Sequence, residues 1–308
     1  EAEAWRLLNN SERKPLNNRA IQGVYPPGST IKPFLAFSAL EDNFVDRYFT
    51  IEDQGFFKLA RSNHIFRDWK KNGHGSVDLK KAIYQSCDVF FYELSNKMGI
   101  NNIYKSLSQF GFGERTGIDI SGEVGGLLPS KEWKKKRFNQ VWYPGDTISV
   151  GIGQGYFLAT PIQLAVATSI IANKGNKVVP KLLLSDSNSN INLVSNFNSE
   201  SFLSNIEYVK DSMVAVTSSE GTAYSSGQNL NFKLAGKTGT SQVFSLRGRD
   251  YDEDKIQEKL KDHSLFVAFA PANAPKIAIA LIIENGGSGS ALAAPMASKI
   301  LEYFLKKN

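Results

Sequence analysis

The 308-residue sequence contains one cysteine, Cys87, and three histidines, His64, His74 and His263. A single thiol excludes an internal disulfide, a CxxC redox pair and a zinc site built from four cysteines, and leaves the redox compartment open. Long apolar runs are missing as well. The most apolar stretch, Leu265 to Ile283, is interrupted by Pro271, Asn273, Pro275 and Lys276. A lipid-spanning helix of about 20 residues does not accept those interruptions, so the stretch reads as two strands and a turn. The residues near Glu1 lack the basic start, apolar middle and cleavage site of a signal peptide, so any targeting or anchoring element is expected outside this stretch. There is no internal repeat, no RNA-binding signature and no zinc-finger spacing. The net charge of +6, with basic clusters at Lys70-Lys71 and from Lys131 to Arg137, therefore reads as a solvated basic face, not a nucleic-acid surface.

What is present describes a well-stocked globular chain, 42% hydrophobic and 21% charged, long enough for one two-lobed domain or two domains. Tyr25-Pro26-Pro27-Gly28 is a sharp stop before an apolar-periodic helix from Ile31 to Leu40. Residues 44–76 read as irregular, and helices are predicted over 77–85 and 89–98, with Gly99 ending the second. Further helices follow over 101–110 and 161–172, separated by a loop rich in glycine and basic residues. Thr160-Pro161 is a start signal for the latter. The Asn- and Ser-rich composition of 177–204 suggests strands joined by an exposed loop, and a helix is predicted at about 205–217. Strands over 232–244, 264–270 and 276–283 and a closing helix over 291–305 complete the chain. Runs of strands beside runs of helices indicate an α+β fold.

Ser29-Thr30-Ile31-Lys32 puts a serine and a lysine three residues apart at a helix start, so their side chains share one face. A serine nucleophile needs such a neighbour. An uncharged amine takes the hydroxyl proton, and burial or a nearby cation lowers the amine's pKa. The helix N-terminus adds a field that favours an oxyanion. The pattern alone is weak, since Ser11-Glu12-Arg13-Lys14 also matches it; that serine lies in a polar stretch, whereas Ser29 opens an apolar helix. Pro33 is tolerable in a first helical turn. On these four residues alone, Ser29 would be read first as a helix N-cap.

Lys237-Thr238-Gly239-Thr240 falls in a predicted strand whose glycine marks close approach of another backbone. An extended peptide could pair along such an edge, with Lys237 and the threonine hydroxyls holding a terminal carboxylate. Ser86-Cys87-Asp88 joins two predicted helices, so Ser86 can relay a proton from a turn; equally, Ser86 or Asp88 could cap the helix that begins near Val89.

The order SxxK, S-x-[ND], K-[TS]-G resembles the signature of penicillin-binding proteins and serine β-lactamases. The segment Gln22 to Pro33, and Gly151-Ile152-Gly153-Gln154-Gly155 with Ala159-Thr160-Pro161 behind it, resemble class B penicillin-binding proteins. Phe66-Arg67-Asp68-Trp69-Lys70-Lys71, Gly73-His74-Gly75, Asp88 and Trp142-Tyr143-Pro144-Gly145-Asp146-Thr147 are similar to the penicillin-binding protein 2 branch, which serves cell elongation. The resemblance covers nearly the whole chain, the stretch 185–205 excepted.

The resemblance implies a penicillin-binding/serine β-lactamase-like α+β fold: an antiparallel sheet flanked by helices, with an all-helical lobe. Residues 1–308 would form a single transpeptidase domain, mainly helical over about 35–160, without the membrane anchor and pedestal domain of full-length relatives. It also implies a D,D-transpeptidase that forms 4-3 cross-links between peptidoglycan stem peptides and is inhibited by β-lactams. Ser29 would be the nucleophile, Lys32 its base, and Ser86 with Lys237 a proton relay. Asp88, Thr238, Gly239 and Thr240 would contact substrate, and the N–H groups of Ser29 and Thr240 would form the oxyanion hole. Implied partners are elongation-machinery membrane proteins including a glycosyltransferase, on the periplasmic side of the bacterial inner membrane. No cofactor is implied for catalysis. Asp53, Asp68, His74 and Cys87 are all Zn²⁺ ligand types, at irregular spacing that says little by itself; some relatives of this branch bind structural zinc through Asp, Asp, His and Cys, and these four positions look like theirs. His64 and His263 read as surface residues. A serine β-lactamase of class A would need an ExxLN segment, which is absent; a D,D-carboxypeptidase and a non-catalytic β-lactam sensor are the other rivals.

Overall fold

A computed structural model describes residues 2–11, 13–60, 62–183, 201–242 and 261–307. Among these, the first half carries helices α1 (Ala2–Asn10), α2 (Arg19–Gln22) and α3 (Lys32–Glu41), short strands β1 (Thr50–Asp53), β2 (Phe56–Lys58), β3 (Ile65–Arg67) and β4 (Gly75–Asp78), and helices α4 (Leu79–Tyr84), α5 (Asp88–Gln109), α6 (Lys131–Phe138) and α7 (Pro144–Gly151). The second half carries α8 (Pro161–Ala172), α9 (Phe202–Val214), α10 (Tyr224–Gly227), strands β5 (Ala235–Ser241), β6 (His263–Ala270) and β7 (Ile277–Ile283), and α11 (Ala294–Lys307). Among the described residues, no helix is long and apolar enough to cross a membrane.

Strands β5, β6 and β7 form an antiparallel sheet in that order, with Lys237 opposite Val267 and Val267 opposite Ala280. The central strand reads Leu-Phe-Val-Ala-Phe-Ala over 265–270 without polar alternation because both of its faces are covered. Leu265, Val267 and Phe269 join the large core containing α3 and α8, whereas Phe266, Ala268 and Ala270 meet Ala294, Ala297 and Leu301 of α11. Alanines at that second contact let α11 lie close to the sheet.

Local signals explain the helix ends. Pro161 opens α8 behind Thr160, whose hydroxyl accepts from Gln163 N–H while Gln163 Oε1 accepts from Thr160 N–H, a capping box. Gly99, with φ +70°, breaks the helical path inside α5 where a break was expected. Three expectations fail. Residues 44–76, with the first two positions of the helix expected over 77–85, hold two antiparallel pairs, β1 with β4 and β2 with β3; strands of three or four residues are too short for alternation to show. The loop between 110 and 161 contains α6 and α7, whose low hydrophobicity and glycine hid them; α6 is capped by Ser130, which accepts from Trp133 N–H, and by Asn139 in the left-handed region. No strand forms over 177–183 and residues 202–204 are helical; the rest of that stretch lies outside the described residues, as does the end of the strand expected over 232–244.

Candidate active site

The chain enters α3 through a 3-10 turn, Gly28–Ile31. Two glycines let this turn be gripped from both sides. Gly28, at φ +54°, donates its N–H to Gly153 O at 2.9 Å, and a Cβ there would stand 2.6 Å from Thr240 O. Gly153, at φ +74°, lies closer still: its Cβ would meet Gly28 O at 2.1 Å. Upstream, Tyr25 and Ala159 exchange N–H···O bonds of 2.9 Å, tying the two motif segments together. Ser29 is half-buried and caps neither the turn nor α3, whose N-cap positions are Pro27 and Ile31.

Lys32 follows one turn later and is fully buried. Its Nζ donates to Asp88 Oδ1 at 2.6 Å, Ser86 O at 2.8 Å and Ser86 Oγ at 3.3 Å. Lys237, on β5 and equally buried, reaches the same Ser86 Oγ at 2.8 Å and Thr238 O at 3.0 Å. Two amines thus share one hydroxyl. Burial first, and then the positive charge of Lys32, hold the Lys237 amine well below the ordinary lysine range.

Ser86 adopts φ +59°, a left-handed conformation uncommon for a residue with a side chain. It is held there by hydrogen bonds from Ser86 N to Ile83 O and from Cys87 N to Ala82 O. Neither Ser86 nor Asp88 caps α5; the N-cap is Cys87, whose sulfur accepts from Phe90 N at 3.4 Å. Asp88 sits in the first turn, where the helix dipole favours a carboxylate, and points at Lys32.

Along β5, side chains alternate between two faces. Lys237 turns inward to Ser86, and Thr238 and Thr240 lie on the other face. Thr238 Oγ1 lies 2.7 Å from Thr222 Oγ1, and Thr240 Oγ1 accepts from Gly289 N at 3.4 Å. Thr240 O accepts from Gln154 Nε2 at 3.0 Å. A Cβ on Gly239 would stand 2.7 Å from Thr30 Cγ2 and 3.2 Å from Pro27 O. The backbone whose approach this glycine permits is therefore the protein's own nucleophile turn.

Asp53, Asp68, His74 and Cys87 are buried and bring one ligand-type atom each to within 4.8 Å of one another. His74 Nδ1 lies 2.7 Å from Asp53 Oδ2 and 3.6 Å from Asp68 Oδ1, and Cys87 Sγ lies 3.4 Å from Asp53 Oδ2. Backbone donors surround the carboxylates: Gly55 and His74 N–H on Asp53, and Lys70, Asp88 and Val89 N–H on Asp68. This donor set fits a cation, because two buried carboxylates and a thiol otherwise have little positive charge to balance them. Burial raises Cys87 far above the ordinary thiol range, while for Asp53 the opposing hydrogen bonds from Gly55, His74 and Cys87 outweigh burial and lower it. The cluster adjoins the catalytic loop, since Cys87 separates Ser86 from Asp88.

A family model, the penicillin binding protein transpeptidase domain, matches residues 6–302. The chain belongs to this family. The peptidoglycan D,D-transpeptidase MrdA of Acinetobacter baumannii is 46% identical, over 98% of this chain and 46% of that protein. Its counterpart of the same name in Haemophilus influenzae is 41% identical over 99% and 48%. The chain thus spans about half the length of the curated relatives it matches. Among solved structures, penicillin-binding protein 2 (PBP2) of Helicobacter pylori in a complex with MreC aligns with a TM-score of 0.90 at 34% identity, covering 100% of this chain and 54% of that one. PBP2 of Pseudomonas aeruginosa in complex with WCK 5153 gives 0.85 at 39%, covering 99% and 66%. The fold is accordingly that of penicillin-binding proteins, as the motifs implied.

The structure joins Lys32, Ser86, Asp88 and Lys237 by hydrogen bonds, sets Gly239 and Thr240 of β5, with Thr238 beside them, against the turn that carries Ser29, and gathers the four metal-type residues in an adjacent cluster. Sequence reasoning missed two residues that touch β5. Gln154 was inside a noted motif without a role. Thr222 had no signal, because it meets Thr238 only through the fold, its N–H bound to Tyr84 O at 3.1 Å. His263, read as a surface residue, is half-buried, with its ring edge-on to Tyr25 and Nδ1 accepting from Asn285 N.

Proposed function

We propose that this chain is the catalytic domain of a peptidoglycan D,D-transpeptidase working through an acyl-serine intermediate. The observation that carries the proposal is the convergence of two buried amines, Lys32 at 3.3 Å and Lys237 at 2.8 Å, on the Ser86 hydroxyl beside the nucleophile turn. Ser29 Oγ attacks the penultimate D-alanine carbonyl of a stem peptide, and Lys32 acts as the base for the hydroxyl proton. Asp88, at 2.6 Å, stabilises the ammonium so formed. The oxyanion faces the N–H groups of Ser29 and Thr240. In a strand the N–H and C=O of one residue leave on the same side, so the Thr240 N–H shares the side on which its carbonyl meets Gln154. Each such donor lowers the barrier by about 3 kcal/mol. As the carbonyl re-forms, the C–N bond to the terminal D-alanine breaks and the proton reaches its nitrogen through Ser86 and Lys237. An amine of a second stem peptide then attacks the ester, forming the cross-link and freeing Ser29. Thr238, Thr240 and Thr222 take the terminal carboxylate, with Gly239 keeping the strand close.

The resemblance to the PBP2 branch supports 4-3 cross-linking during elongation, inhibition by β-lactams acylating Ser29, and a place on the periplasmic side of the inner membrane. The H. pylori complex with MreC, and a neighbour described as a peptidoglycan synthase complex coordinating polymerization and crosslinking, support membrane-bound partners that include a glycosyltransferase. Residues 1–308 act as one domain of two lobes, the mainly helical one over about 35–160. Asp53, Asp68, His74 and Cys87 would hold a structural Zn²⁺ as four protein donors, and the ion would supply rigidity to the Ser86 loop.

Incubation with a fluorescent penicillin, followed by peptide mass spectrometry, tests the activity. A stable adduct on Ser29, absent in Ser29→Ala, is expected. Rapid release of hydrolysed drug would mean a β-lactamase, and no adduct a non-catalytic protein.

A further inference from the structure

A cavity of about 670 Å³ lies away from the nucleophile, between the β2–β3 hairpin and helices α5 and α7. His64 and Phe66 from the hairpin, Asn96 from α5, Tyr143 ahead of α7, and Asp146 and Ser149 from α7 line it. Both helices connect it to the catalytic cluster. Helix α5 begins at Asp88, which touches Lys32, and Asn96 follows eight residues later, about 12 Å at 1.5 Å per residue. Helix α7 begins at Pro144 beside the cavity and leads into Gly153, which grips the nucleophile turn.

The walls of this cavity have a definite chemistry. Tyr143 is 57% exposed, yet its ring is held from behind. Lys134, 2% exposed, places Nζ 4.8 Å from the ring centroid and pairs with Asp146 Oδ2 at 2.5 Å, and Asp146 Oδ2 also accepts from Tyr143 N at 2.8 Å. Tyr156 flanks the same ammonium at 5.5 Å. An exposed aromatic ring with a fixed orientation is a platform for the C–H face of a pyranose. Asn96, His64 and Ser149 add donors and acceptors of the kind that hydroxyl and acetamido groups need. The one carboxylate among the described lining residues is already paired with Lys134. A neutral polar ligand with an apolar face is well served by these walls.

We propose that this cavity is a glycan subsite, holding an amino-sugar unit of the strand whose stem peptide is acylated on Ser29; this rests on the transpeptidase function proposed above. Four extended residues span about 13 Å, the same order as the rise of about 12 Å along α5 from Asp88, which touches Lys32, to Asn96. A stem peptide joined through its fourth residue to Ser29 therefore has the length to carry its sugar end to the cavity.

The test titrates the 308-residue chain with a tetrasaccharide of N-acetylglucosamine, followed by NMR, before and after acylation by penicillin. Saturable binding with a Kd on the order of 1 mM is expected, and it persists after acylation because the two sites are separate. Tyr143→Ala weakens binding about 5- to 10-fold, and Tyr143→Phe, which keeps the ring, does not. Thermal melting of both variants establishes that they are folded. No saturable binding, loss of binding on acylation, or equal binding by Tyr143→Ala overturns the proposal. Failure of the transpeptidase function itself would appear separately, as a missing penicillin adduct in the unmutated chain.

Discussion

Replacing Gly153 by alanine tests whether the nucleophile is positioned by backbone contact. The new Cβ would lie 2.1 Å from Gly28 O and 2.7 Å from Gly28 C and N, where contacts under 3.0 Å do not survive. A backbone cannot swing aside as a long side chain can, so Gly28 must move by roughly 1 Å, and Ser29 is the next residue. A misplacement of about 1 Å at a reacting group costs about 100-fold in rate. The positive φ adds about 1 kcal/mol of strain for alanine. Measured with a fluorescent penicillin, the second-order acylation constant of Gly153→Ala should fall by about 100-fold, with a lowered melting temperature. Gly99→Ala separates strain from displacement: Gly99 has φ +70° and nothing within 4 Å of its Cβ position. It should lose stability and acylate normally. Acylation of Gly153→Ala within about threefold of the unmutated chain, or an equal loss in Gly99→Ala, would refute the reasoning.

Lys237→Met keeps the buried volume and removes the amine, so acylation should drop about 10²- to 10⁴-fold while the melting temperature holds or rises. The same variant checks the titration. With its folded pKa lowered from the ordinary 10.5, Lys237 binds less proton folded than unfolded between the two values, so stability should rise with pH toward 10.5. In urea unfolding between about pH 7 and about pH 9, the unmutated chain should gain up to about 1.4 kcal/mol per pH unit relative to Lys237→Met, and a flat difference would show that the amine stays charged. Asp88→Ala leaves the buried Lys32 without its carboxylate and should destabilise by about 3 kcal/mol, read as a shift in the urea midpoint. Metal analysis of protein kept from chelators should find about one zinc per chain; stripping it, or Cys87→Ser, should lower both thermal stability and acylation, and an unchanged melt with no zinc would dismiss the site.

Much of this protein can be read in one dimension. Ser29 and Lys32 stand three residues apart at a helix start, so their sharing one face needs no tertiary information, and the proline, glycine and capping residues around α3, α5 and α8 place those helices from local chemistry. The apolar run of β6 announces a strand buried on both faces. The single cysteine excluded an internal disulfide and a four-cysteine zinc site, and the interruptions between Leu265 and Ile283 excluded a spanning helix there. What the sequence could not decide is long-range. Lys237 lies far along the chain from Ser86, and only the packing of β5 beside the Ser29 turn brings it to that hydroxyl and puts the threonines on the other face. Asp88 could cap a helix or touch substrate until the fold set it against Lys32. Thr222 carries no local pattern, and four short strands fall below the length at which alternation becomes visible. Local propensity and side-chain spacing act within a few residues and are written in the sequence; burial, charge pairing and the direction of a side chain depend on which distant segments pack together, and those belong to the tertiary structure.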